Sequence, residues 1–201
     1  MITLGIYMKS YLSKLRTNRG FTLIELLVVI GILGILAAAL VATIDPFEQL
    51  KKADDSKIKN IVVEFQNANV RYFTTHTSFP WNDQNSIDNN YNDTCTALVG
   101  GISGLGLDDA GLTACLGAAG TQGSLIGEGE LKESFTSNTN DLAKVFVEWD
   151  SASASNLTVC FSPTSKSQKA SPETAFDING AALAGCPDVN AADGTCFWCT
   201  R

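Results

Sequence analysis

One acidic side chain stands where the sequence gives it no partner. From Phe21 to Ile44 the only charged residue is Glu25, and from Leu26 to Ile44 there is none. As helix this stretch rises roughly 36 Å, against a membrane hydrocarbon core of about 30 Å. A carboxylate near the start of a membrane helix costs on the order of 2 kcal/mol or more unless it is paired or lies at the interface. Two readings follow. Either Glu25 is an interfacial acid at a helix N-terminus, where the dipole favours negative charge, or it pairs with a positive group that the chain does not otherwise place there.

The second set of reactive residues is sulfur. Cys95, Cys115, Cys160, Cys186, Cys196 and Cys199 all lie beyond the apolar run, and an even count in an exported head reads as disulfides. Cys196-Phe197-Trp198-Cys199 has the spacing of a redox CxxC, but only Thr200 and Arg201 follow it, so no helix stands behind it. Cys160, Cys186, Cys196 and Cys199 would also make a zinc ligand set, with a single CxxC knuckle. Structural disulfides are the reading adopted. Cys95 and Cys115 close the excursion between them. Cys160 pairs with Cys196 or Cys199, and Cys186 with the other.

Oxygen ligands gather near the C-terminus: Asp177, Asn179, Asp188, Asn190 and Asp193. Such donors suit calcium, and Asp177, Asp188, Asn190 and Asp193 are the candidates. The spacing is not that of an EF-hand, and ordinary turn chemistry is the competing reading. Gly100 to Gly106 holds a GxG with no Lys-Ser/Thr after it, so it is not a phosphate loop. His76, the only histidine, has no nucleophile that the sequence can place beside it. No catalytic constellation can be assembled, and the chain reads as a non-enzyme.

The elements that position these residues follow in order. Residues 1–20 are a basic leader with Lys9, Lys14, Arg16 and Arg19 and no acid; Met8 begins a second, shorter version of it. Residues 21–44 are a transmembrane helix, with Gly31 and Gly34 as small residues that let helices approach closely. Residues 45–76 continue that helix in amphipathic form, from Phe21 to about Thr74, with Asp45-Pro46 interrupting the ladder as a kink. Phe47, Leu50, Ile58, Ile61, Phe65, Ala68 and Tyr72 recur at three-four spacing and face the core, and Lys51, Lys52, Asp54, Asp55, Lys57 and Lys59 occupy the polar remainder. Val62, Val63 and Val70 are free to face neighbouring copies. Pro80 ends the helix. Residues 77–141 are a Gly/Asn-rich region expected to hold short helices and irregular chain. Residues 142–201 hold strands at 142–150, 156–162 and 174–178, a short one at 195–200, and a disulfide-stapled tail. The fold class is α+β: a long helix under an antiparallel sheet that buries Val145, Val147, Val159, Phe161 and Phe176.

Charge sets the compartment and the partners. Of the 14 basic residues four lie in the leader, which leaves 10 against 21 acidic ones. The basic leader fits a cytoplasmic N-terminus and an extracytoplasmic head. The acidic head repels phosphate backbones, and no nucleic acid is expected as a partner.

Gly20-Phe21-Thr22-Leu23-Ile24-Glu25-Leu26 resembles the class III signal of type IV pilins and pseudopilins. In that family a basic leader ends in Gly, followed by an aromatic, three mostly apolar residues and Glu. The resemblance implies cleavage after Gly20 by prepilin peptidase and N-methylation of Phe21. It also supplies a partner for Glu25: the amine of Phe21, its own or that of a neighbouring subunit. It further implies a homopolymer built through the apolar helix, loss of helicity between Gly34 and Pro46 in the assembled filament, and contact with membrane lipid and with the assembly machinery of a pilus or secretion system in the inner membrane. The function implied is that of a type IV pilin, ending as a pilus at the cell surface. The alternatives are a pseudopilin of a type II secretion system, in whose major members a C-terminal loop binds calcium, and a minor pilin with an adhesion or DNA-uptake role.

Overall fold

The computed structural model describes residues 20–43, 45–82, 95, 97–153 and 155–200. The leader through Arg19, Ile44 and residues 83–94 of the Asn-rich loop lie outside the described residues. The chain divides into two units, Met1–Asp45 and Pro46–Arg201.

Among its described residues the first unit holds one helix, α1, at Leu23–Thr43. Its residues are aliphatic and small, so nothing within it distinguishes one face from another, and none of them is buried. A side chain added at Gly31 or Gly34 would meet open space, so neither glycine relieves crowding within this chain. The backbone is helical from Gly34 to Thr43. Periodicity predicts one helix from Phe21 to Thr74, but two are described. Pro46 has no N–H with which to continue a ladder, and a first helical position is where that lack costs nothing.

Pro46 opens the second unit as the first residue of α2, Pro46–His76. The core-facing stripe of α2 is Ile58, Val62, Phe65, Ala68 and Tyr72, all at most 2% exposed. It packs on a four-stranded antiparallel sheet in the order β1-β2-β3-β4. The strands are β1 Ile102–Gly106, β2 Val145–Trp149, β3 Leu157–Phe161 and β4 Trp198–Thr200. β2 and β3 alternate as the sequence predicts: Val145 and Val147 pair with Phe161 and Val159 and bury against α2. Phe79, Trp81 and Trp149 close one end of this core as an aromatic cluster with ring centroids 5.1–6.4 Å apart. Short α-helices among the described residues include α3 Ala110–Leu116, α4 Thr139–Leu142 and α5 Lys166–Lys169.

Four details differ from the sequence reading. The sheet begins inside the Gly-rich region: β1 pairs with β2, and a bulge at Ser103-Gly104 turns Gly104 to φ 58, where Glu148 of β2 accepts from its N–H at 3.0 Å. Residues 174–178 do not form a strand. Phe176 makes only isolated bridges to Ala182 and Phe197 and is half-buried, because Asp177 turns the chain at once. Phe47 and Leu50 are 74% and 67% exposed rather than core-facing, while Val62 is buried within its own unit. Asp55, expected on the polar side of α2, is 2% exposed.

Asp55 is buried because it has a specific task. Its Oδ1 accepts from the backbone N–H and the hydroxyl of Thr164, both at 2.9 Å, and its Oδ2 from those of Ser165. Four donors on one carboxylate fix the segment after β3 to α2. Pairs from α2 to other head segments, Asp54–Lys144 at 2.7 Å and Arg71–Glu130 at 2.8 Å, are surface contacts of small individual worth. Asp55→Ala leaves four donors without an acceptor and is expected to destabilise the head by about 3 kcal/mol, whereas the exposed Asn60→Ala stays within about 0.5 kcal/mol. Urea unfolding of the detergent-solubilised, disulfide-intact protein, followed by tryptophan fluorescence, checks both.

Candidate functional site

The start of α1 is built from three consecutive choices. Gly20 and Phe21 are non-helical and exposed, so the bond between them lies on open backbone. Thr22 caps the helix. Glu25, at the third helical position, accepts from the Thr22 backbone N–H and from its hydroxyl, both at 2.9 Å. The Glu25 N–H is directed back to the Thr22 hydroxyl at 3.3 Å. This is the reciprocal arrangement of a capping box, which satisfies donors that the first turn of a helix leaves open. Glu25 therefore has a partner in its own chain, and its carboxylate is held one turn from Phe21. Phe21, Ile24, Glu25, Val28 and Val29 line one shallow concavity on α1. Sequence reasoning saw the charge and missed this use of it; a Thr three residues before Glu, ahead of an apolar run, was the available signal.

The six cysteines form three disulfides: Cys95–Cys115, Cys160–Cys199 and Cys186–Cys196. The two alternatives left open in the tail resolve in this way because Cys160 and Cys199 sit opposite each other across β3 and β4. With all four tail sulfurs in disulfides, no thiolate set is present for zinc.

The oxygen ligands are not brought to one point. Asp177 Oδ1 accepts from the N–H groups of Asn179 and Ala181 at 2.9 and 2.8 Å. Asp188 Oδ1 accepts from the N–H of Asn190 at 2.9 Å, and Asp193 Oδ1 from Lys169 Nζ at 2.6 Å. These are turns and one ion pair. Among the described residues no three His, Cys, Asp or Glu side chains converge so as to hold a metal ion. His76 stacks on Tyr72 with ring centroids 4.0 Å apart and shares a hydrogen bond with Thr75.

A second feature missed from sequence is the latch that holds the tail. Lys59 Nζ lies 4.2 Å from the centroid of the Trp198 ring. Glu173 accepts from Trp198 Nε1–H at 2.9 Å and pairs with Lys59 at 3.3 Å. The indole N–H, and then the Lys59 cation, hold the Glu173 carboxyl below the usual carboxylate range.

The comparisons agree with the geometry at the N-terminus. Residues 15–41 match the prokaryotic N-terminal methylation motif. The chain is 37% identical over 73 residues to the type II secretion system core protein G of Vibrio cholerae serotype O1, which covers 36% of this chain and 49% of that protein. The chain thus matches about half the length of that curated relative. No solved structure matches. At its N-terminal end the chain is thus similar to proteins with the prokaryotic N-terminal methylation motif and to a core protein of a type II secretion system.

Because the folded Glu173 carboxyl titrates below its unfolded value, it adds stability above about pH 4.3, and that contribution is lost as pH falls through the folded value. Glu173→Gln is expected to be less stable than the parent at neutral pH and to lack that part of the acid-side decline. Unfolding midpoints measured from pH 7 down to pH 3 read the difference.

Proposed function

We propose that this chain is the structural subunit of an extracytoplasmic filament, a type IV pilin. It is cleaved after Gly20 by prepilin peptidase, N-methylated at Phe21 and polymerised through α1. The observation that carries the reading is α1 itself: long and apolar enough to cross a membrane, exposed along its whole length, and opened by a carboxylate one turn from Phe21. In the membrane, lipid covers that surface. In the filament, other copies of α1 cover it, and the Phe21 amine of a neighbour is the cation that Glu25 meets. Two charges that neutralise each other in an apolar core define a register, since either one alone would be strongly disfavoured there. The partners that follow are further copies of the chain, the processing peptidase and methyltransferase, and an inner-membrane assembly machine. The chain itself carries out no catalysis. The head, with three disulfides, suits an oxidising exterior.

A second reading, a pseudopilin of a type II secretion system, is favoured by one observation: the curated relative is named as a core protein of such a system. The two readings part on where the polymer lies. Cells that produce the protein are sheared, and the released fraction is compared with the membranes by immunoblot. The pilin reading expects the chain in the sheared fraction, and a Glu25→Ala chain retained in membranes with at least about tenfold less released. Wild-type chain confined to membranes would transfer the assignment to the pseudopilin.

A further inference from the structure

The core-facing stripe of α2 is longer than the head that covers it. Phe47 stands three turns before Ile58 on the same line of the helix, and Leu50 stands three turns before Ile61. Burial on this line begins only at Ile58. Two apolar side chains are therefore carried past the end of the core, at 74% and 67% exposure.

Chain length limits what can lie beside them. α1 ends at Thr43, four residues before Phe47. Four residues span at most about 14 Å even when fully extended. If α1 crosses a bilayer, which is the reading on which this inference rests, the first turns of α2 must lie at or near the headgroup layer.

The charge of these turns fits that layer. Of the acids here, Glu48 accepts from the Lys166 N–H at 3.0 Å and pairs with Lys51 at 3.8 Å, Asp54 is paired with Lys144, and Asp45, just before the helix, is exposed. Lys52 and Lys166 are exposed, and their ammonium groups form no ion pair among the described residues. In a head with an acidic surface, the end next to the membrane thus carries two outward cations beside two exposed apolar side chains. This is the composition that lies in a bilayer interface, with apolar groups toward the acyl chains and lysines toward anionic phosphates.

We propose that the first two turns of α2 are a lipid foot. Phe47 and Leu50 insert at the acyl boundary of the outer face of the membrane, and Lys52 and Lys166 meet anionic headgroups. The foot sets the height of the head before assembly, and it must leave the lipid when the subunit leaves the membrane.

The test places a photoreactive benzoyl-phenylalanine at position 47 of the full chain, and at Val70 as a control on an exposed head position. Each protein is reconstituted into vesicles of phosphatidylethanolamine and phosphatidylglycerol, washed with alkaline carbonate to confirm insertion, and irradiated. The expected result is a phospholipid adduct at position 47 by mass spectrometry and none at position 70. An inserted protein that yields a cross-linked dimer at 47 without lipid would overturn the proposal and give this face to a second copy. An inserted protein with no adduct at 47 would also overturn it, leaving the foot in water. Loss of the protein in the carbonate wash would overturn the membrane reading together with the foot.

Discussion

Water cannot be the resting environment of α1. Thirteen of its Leu, Ile and Val side chains are exposed along a single helix that no other described part of its unit covers. Covering them is worth on the order of 20 kcal/mol or more, larger than the whole folding stability of a typical domain. Any functional account therefore begins with what encloses this helix. Lipid and identical helices are both adequate, and a subunit that exchanges one for the other loses little hydrophobic energy on the way. On the filament reading proposed above, Glu25 makes the two environments unequal, because only the filament would supply a neighbouring amine.

The capping box gives that carboxylate a second role. It anchors the first turn of α1 through Thr22, and so it holds the charge at a fixed height before any neighbour arrives. A pre-positioned acid loses less freedom on pairing than a mobile one. The head is organised by a parallel logic. α2 is the platform: the segment after β3 is fixed to it through Asp55 and the tail meets it at Lys59, while the surface pairs of Asp54 and Arg71 add little. The sheet supplies the apolar face and the disulfides close the tail.

Much of this was legible in the residues. The apolar run, its single acid and the alternating strands at 145–149 and 157–161 follow from charge and period alone. β1 was not legible, because Ile102-Ser103-Gly104-Leu105-Gly106 reads as a flexible loop. Its glycines serve an edge strand with a bulge, and only the partner strand reveals that. Phe176 looked like the centre of a strand, yet the side chain of Asp177 competes for the backbone and wins. Asp55 was misassigned for a related reason: a helical period marks an acid as solvent-facing, and nothing local shows that Thr164 and Ser165 return to meet it. The oxygen-rich tail has a composition shared by calcium loops and simple turns; Asp177 and Asp188 accept from backbone N–H groups and Asp193 pairs with Lys169.

The central claim is that the working chain begins at Phe21 and that its head is stapled by three disulfides. Intact-mass spectrometry of the membrane-embedded or released protein, before and after reduction, tests it most directly. The account predicts a species that starts at methylated Phe21 and gains two hydrogens for each of Cys95–Cys115, Cys160–Cys199 and Cys186–Cys196 on reduction. A species that still carries residues 1–20 would contradict it and leave α1 as a plain membrane anchor.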